Sequence, residues 1–200
     1  MALTPEELLD AKYWEDRYKN NQTGWDIGYC STPLKAYFDQ LTDKHIRILI
    51  PGAGNAYEAE YLHRNGFTNV WVIDLAPSAL QNILSRVPDF PPEHLIEGNF
   101  FEHREQYDLV VEQTFFCALH PDLRQKYAEH MHRVLKPGGR LMGVLFDDAL
   151  NTEHPPYGGH EEEYRSYFEP LFKVLVLERC YNSIQPRAER ELFILLEKKD

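Results

Sequence analysis

Short apolar runs alternate with amphipathic stretches between positions 46 and 147, and this restricts the fold of the chain more than any other feature. IRILI (46–50) and NVWVID (69–74) are continuous and β-branched, the pattern of strands buried on both faces. PGAGN leads from the first run into a helical stretch, AYEAEYLHRNG, closed by Gly66, and APSALQNILSRV follows the second. HLIEGNF reads as a weaker third strand, YDLVVEQ (107–113) as a fourth and RLMGVLFD as a fifth. Before the fifth stands a helix, PDLRQKYAEHMHRVLKPGG, with Pro121 at its start and Lys136-Pro137-Gly138-Gly139 as its stop. This order predicts a Rossmann-like, doubly wound α/β fold, a mostly parallel sheet with helices on both faces. FKVLVLERC and ELFILLEKK are separated only by YNSIQPRAER, too short for a crossover helix. That pair is expected to be antiparallel, which gives seven strands with an antiparallel edge strand.

Two hundred residues suit one domain spanning 1–200, with a core over 46–146 and the antiparallel pair in 171–200. Thr4, Pro5 and Glu7 read as N-cap, first helical residue and capping box of a helix running to about Lys19. NNQTGWDIGYCSTP is loop-like, and Thr32-Pro33 starts a second short helix. The Pro- and Gly-rich stretch from Asp147 to Gly159, within 147–170, is a candidate substrate loop. No apolar run has membrane-spanning length and the start lacks a signal-peptide core, so the expectation is a cytoplasmic protein without a membrane partner. A net charge of -11 argues against a nucleic-acid partner. Three scattered cysteines fit a reducing compartment. The nine histidines lack ligand spacing, so no metal is expected, and His130 and His132 read as surface residues. Arg124 reads as the partner of an acid on its own helix. The oligomeric state stays open.

The turn Ile50-Pro51-Gly52-Ala53-Gly54-Asn55 lies at the strand ends where doubly wound sheets bind ligands. Gly52 and Gly54 let a ligand approach the backbone, and Asp74, closing the second strand, can accept from both hydroxyls of a ribose. A dinucleotide site wants a third glycine at position 57, where Tyr57 stands. Glu58 then puts negative charge at a helix start, which opposes a phosphate. S-adenosylmethionine has no phosphate, and an acidic lining suits its ammonium and sulfonium. Asn99 offers a carbonyl oxygen to adenine's amino group and Phe100 a ring to cover its face. Phe101 reads equally well as core.

These residues, with TGWDIGYCSTP, ILIPGAGNAYEAEYL, GNFFE, EQTFFCALHPDLRQKYAEHMHRVLKPGG and HPPYGG, resemble class I S-adenosylmethionine-dependent methyltransferases of the thiopurine S-methyltransferase-like family, which includes halide/thiol methyltransferases. The resemblance runs from about Trp14 to about Leu192. It implies S-adenosylmethionine as methyl donor and a small-molecule acceptor, a thiol or soft anion such as thiocyanate. It further implies that the N-terminal segment (1–45) covers the site and contributes Trp14, Tyr18 and Trp25. Gln113 would approach the methionine portion, and Tyr157 and Arg187 would line the acceptor pocket. Asn99 stands where the family usually has Asp, Tyr18 where Trp is usual, and His154 precedes Pro155-Pro156 where Gly-Gly is usual. Glu112-Gln113 replaces the Asp-Tyr of some relatives. These departures leave the acceptor's identity open. No obligatory catalytic base is evident. The alternatives are an oxygen or nitrogen acceptor, a non-catalytic module that binds S-adenosylmethionine, and a dinucleotide-dependent oxidoreductase, which Tyr57 and Glu58 oppose.

Overall fold

The computed structural model describes Thr4 and residues 10–200. Its strands are β1 (Ile48–Pro51), β2 (Val70–Asp74), β3 (Leu95–Glu97), β4 (Tyr107–Gln113), β5 (Leu135–Phe146), β6 (Phe172–Arg179) and β7 (Glu191–Lys198). The helices are α1 (Ala11–Lys19), α2 (Thr32–Phe38), α3 (Tyr57–Arg64), α4 (Pro77–Arg86), α5 (Arg124–Val134) and α6 (Glu161–Phe168). The capping box expected at Thr4, Pro5 and Glu7 falls on residues 5–9, outside the described ones. Helix α1 has Asp10 as N-cap, its carboxylate accepting from the Tyr13 N–H at 2.8 Å.

The seven strands form one sheet in the order β3-β2-β1-β4-β5-β7-β6. Strands β1 to β5 pair in parallel. β7 runs antiparallel to both β5 and β6, so the C-terminal pair supplies the reversed strand on this side of the sheet, with β7 inserted between its neighbours. Successive β1 residues face opposite ways. Ile48 and Ile50 pack with Leu34, Leu62, Val72 and Ile83, beneath α2, α3 and α4. Leu49 packs instead with Val110, Tyr127, Met131 and Phe168, beneath α5 and α6. Burial on both faces explains why the strands read as continuous apolar runs. The strand order reverses between β1 and β4, and the crevice above their C-terminal ends is where such sheets bind ligands.

Three expectations need correction. Lys136-Pro137-Gly138-Gly139 does end α5, but it lies inside β5 rather than between helix and strand. There the register jumps from Tyr107↔Leu135 to Leu109↔Arg140. Gly138, at φ +71°, supplies the bend, and Lys136 Nζ anchors it on Asp108 at 2.8 Å. His130 is buried rather than on the surface. It meets Phe100 edge-on with ring centroids 4.6 Å apart, and burial lowers its pKa to about 4. Arg124 is also buried, and its partner is on another helix: Nη1 donates to Glu163 of α6 at 2.5 Å and Nη2 to the Gly158 carbonyl at 2.6 Å. It therefore ties the end of the 147–160 loop to α5.

Candidate functional site

Gly52 and Gly54, in the turn after β1, both have φ +55°, a left-handed conformation natural to glycine. A Cβ on Gly52 would lie 2.2 Å from the Phe115 ring, and one on Gly54 would lie 2.8 Å from the Tyr18 hydroxyl. An aromatic side chain following β4 and another from α1 thus bear on the turn. At the end of β2, the buried Asp74 carboxylate accepts from the Gly54 N–H at 3.0 Å and the Ala76 N–H at 2.8 Å. It braces the glycine turn against the loop into α4, and each oxygen keeps accepting capacity for a ligand. Burial pushes its pKa up, and the backbone N–H groups partly oppose that.

Above this turn lies a cavity of about 400 Å³, within the ordinary size range of small-molecule sites. Its walls include Gly52, Gly54, Asp74, Asn99, Phe100 and Gln113 from the strand ends, and Trp14, Tyr18 and Trp25 from the N-terminal segment. Arg187 also lines it. Trp25 stands edge-on to Trp14 and Tyr18, at centroid distances of 5.6 and 5.9 Å. No residue of α1 is fully buried, so polar ties do much of the work of holding this cover. Glu15 accepts from the Ser78 N–H at 3.0 Å and its hydroxyl at 2.7 Å, at the start of α4. Asp26 accepts from Asn55 and, at 3.3 Å, from the Tyr57 hydroxyl. Arg187 Nη2 donates to the Trp25 carbonyl at 3.0 Å.

Asn99 Oδ1 already accepts from the Phe101 N–H at 3.0 Å, which caps the short turn that presents Phe100. Its second lone pair remains for a ligand. Phe101 also lines the cavity. Gln113 Oε1 accepts from the Ser31 hydroxyl at 3.2 Å. The adjacent Glu112 is fully buried and accepts from the Phe115 and Phe116 N–H groups, at 2.8 and 2.9 Å, and from the Tyr127 hydroxyl. Burial raises its pKa to about 7.

Tyr157 is not among the lining residues; Pro155 and Pro156 stand there instead. Its N–H donates to the Cys117 carbonyl at 2.7 Å, and its buried ring meets His120 edge-on, so the loop is pinned by the tyrosine and presents the two prolines. Arg187 is more constrained than its place in a polar stretch implied. It is 8% exposed, and its Nη1 lies 3.5 Å from the buried Glu191 carboxylate without a hydrogen-bond partner.

Sequence reading missed Tyr13, Arg17, Phe115 and Cys117 in the wall and took Glu58 only as a helix-start acid. Positions 13, 14, 17 and 18 share a helical face, a spacing that contained the first two. Glu58 is buried, with one oxygen accepting from the Ser31 N–H at 3.0 Å. Among the described residues no group of His, Cys, Asp or Glu can hold a metal.

The lining fits S-adenosylmethionine. It carries the carboxylates of Asp74 and Asp26 for cationic groups and aromatic side chains, Trp14, Tyr18, Trp25, Phe100 and Phe115 among them, which favour cations over their faces. A pyrophosphate fits poorly, because the first turn of α3 carries Glu58 and Glu60.

A family model described as Thiopurine S-methyltransferase (TPMT) matches residues 9–198. The chain belongs to this family. It is a methyltransferase, and its methyl donor is S-adenosylmethionine. It is 30% identical to probable thiol methyltransferase 2 of Arabidopsis thaliana, over 89% of this chain and 81% of that protein. Thiocyanate methyltransferase 1 of Brassica oleracea is 27% identical, over 92% of this chain and 84% of that protein. Thiopurine S-methyltransferase of Pseudomonas aeruginosa (strain UCBPP-PA14) is 26% identical, over 86% and 87%. Among solved structures, Burkholderia thailandensis 1,6-didemethyltoxoflavin-N1-methyltransferase superposes with a TM-score of 0.78 at 16% identity, over 100% of this chain and 92% of that one. At that identity the likeness speaks for the fold.

Proposed function

We propose that this family member methylates a small thiol or another soft anion such as thiocyanate in the cavity beneath its N-terminal cover. One observation carries the reading. Arg187 is 8% exposed and lines the same cavity as the Gly52–Gly54 turn and Asp74, which places a permanent cation in its wall. In an acidic protein, capture of an anion requires a local cation, and arginine keeps its charge throughout the working pH range. The thiol and thiocyanate activities in the names of its relatives agree with such a site.

When bound, S-adenosylmethionine supplies a methyl group on a sulfonium, with a neutral thioether as leaving group. Asp74 would accept from the ribose hydroxyls and Asn99 Oδ1 from the adenine amino group, and Phe100 would cover the ring. Gly52, Gly54 and Gln113 border the methionine portion. Trp14, Tyr18 and Trp25 close the cavity and exclude water, which leaves the acceptor anion poorly solvated and reactive. Arg187 would hold that anion in the cavity for attack on the methyl group. Orientation of this kind supplies up to roughly 7–11 kcal/mol of a barrier.

The same reading treats residues 1–200 as one catalytic unit that handles small molecules rather than nucleic acid. No helix among the described residues is long and apolar enough to cross a membrane, and the three free cysteines suit a reducing cytoplasm. Calorimetric titration with S-adenosylmethionine and with NAD, followed by an acceptor screen of thiols, thiocyanate, amines and carboxylates, tests it. Binding of the first ligand only, with turnover of thiols or thiocyanate, is the expected result. Exclusive turnover of amines or carboxylates overturns the proposal.

A further inference from the structure

Glu58 does more than begin a helix. It projects from the first turn of α3 into the wall of the cavity that Arg187 lines from the β6–β7 connection. The residue is 5% exposed. One carboxylate oxygen accepts from the Ser31 N–H at 3.0 Å, which fixes the side chain's direction. The charged and titratable groups facing it are Arg187, Asp26 of the N-terminal cover and the Cys30 thiol. Arg187 lines the same cavity, its charge acts on Glu58, and its buried Nη1 lies 3.5 Å from Glu191 without a hydrogen bond. The cavity wall thus holds a buried carboxylate and a buried cation that acts on it.

We infer that Glu58 is the general base that takes the proton from a thiol acceptor, while Arg187 holds the thiolate that results. This rests on the proposed soft-nucleophile methyltransferase activity and specifies how that site treats protonated acceptors. In the step, the S–H bond breaks, the electron pair stays on sulfur and the proton goes to a Glu58 oxygen. The sulfur pair then forms the new S–CH3 bond as the methyl–sulfonium bond breaks, and that bond's pair neutralises the sulfonium to a thioether. Glu58 returns its proton to solvent when products leave. The proton affinities are compatible. Burial raises the Glu58 carboxyl above its ordinary value, with Arg187 and the Ser31 N–H opposing, while a cation beside a thiol lowers that thiol from about 8.5. Thiocyanate carries no proton to remove, so it does not need the base.

The experiment compares Glu58→Gln with wild type on one thiol and on thiocyanate, from about pH 6 to 9, a window bracketing the reference thiol pKa. A free thiol with a pKa of about 8.5 is only about 3% ionised at pH 7. The ratio of thiol to thiocyanate rates should therefore fall about 10- to 30-fold in the variant at pH 7 and recover toward the wild-type ratio at pH 9. Rates on both acceptors falling together, with a raised KM for S-adenosylmethionine, would make Glu58 a ligand of the donor and overturn the inference. An unchanged ratio at pH 7 also overturns it. Wild-type turnover of both acceptors shows in either case that the underlying activity stands. Should the variant fold poorly, wild type decides the matter with a series of thiols of differing pKa. An acidic limb fixed at one pH supports the base, and a limb that tracks each thiol's own pKa refutes it.

Discussion

Replacing Arg187 by alanine tests whether this residue is a replaceable pocket cation or part of the protein's framework. Its Nη1 lies 3.5 Å from Glu191, which is 3% exposed, and its charge also acts on the buried Glu58. Removing one side of a buried pair typically costs about 3–5 kcal/mol, because the remaining charge is stranded. For a chain of this size 1 kcal/mol corresponds to about 2–4 °C in Tm, so the variant should melt about 6–20 °C below wild type at pH 8. The deficit has a predictable pH dependence. Burial already raises Glu191 and Glu58 above the ordinary carboxyl value, and losing the arginine raises them further. An acid whose folded pKa is raised holds its proton in the folded state after the unfolded chain has released it. Stability therefore falls as pH rises from about 4.5 through the raised value. The Tm gap between variant and wild type should narrow as pH falls from 8 and the two raised acids take up protons, and adding Glu191→Gln should recover part of the gap at pH 8. Scanning calorimetry at several pH values measures this. A gap that is absent, or constant across pH, refutes the reasoning. Calorimetric titration adds a second readout. The Arg187–Trp25 carbonyl bond holds the cover, so losing about 1.5–3 kcal/mol there should weaken S-adenosylmethionine binding roughly 10- to 150-fold.

Asp74→Ala should lower both S-adenosylmethionine affinity and Tm, since it strands the Gly54 and Ala76 N–H groups at about 1–3 kcal/mol each. Asp74→Asn keeps one accepting oxygen and should recover part of the Tm but little of the affinity; a wild-type Tm for Asp74→Ala would show that the brace contributes nothing. Glu112, with its carboxyl raised to about 7 by burial, favours the folded state in its neutral form, an advantage lost as pH rises from its ordinary value through about 7. Glu112→Gln lacks that loss, so its Tm relative to wild type should climb between about pH 5 and 8, and parallel Tm profiles would refute the assignment.

The strands were legible because burial on both faces leaves a local signature. Ile48, Leu49 and Ile50 must all be apolar, whichever core each one enters. The reversal at the C-terminal end was equally local, since ten residues cannot build a crossover helix. The bulge at Lys136–Gly139 left no such mark. A Pro-Gly-Gly run ends a helix and bends a strand with the same residues, and only Lys136 reaching Asp108, 28 positions away, separates the two outcomes. His130 escaped for a related reason: on α5 its buried place is set by Phe100, brought in from the end of β3.

In the candidate site, the glycine turn, Asp74 and Asn99 could be found from the residues because each stands at a strand end, where the fold fixes what a side chain can reach. Resemblance supplied Arg187, but its place in one cavity wall with Glu58 joins elements 129 positions apart and leaves no periodic trace. Glu58 illustrates the ambiguity. Negative charge in a first helical turn is favourable by itself, so the local explanation was complete, and nothing adjacent signalled that Ser31 and Arg187 would enclose the carboxylate. The same enclosure ties chemistry to closure. One guanidinium lines the cavity, uses Nη2 to hold the Trp25 carbonyl of the cover and sets Nη1 3.5 Å from the buried Glu191. An anion bound against Arg187 adds a further charge partner and so favours the very arrangement in which the cover is held. Under the proposed function, acceptor binding and exclusion of water are linked through a single side chain, and an arginine there cannot be exchanged for lysine without giving up one of the two contacts.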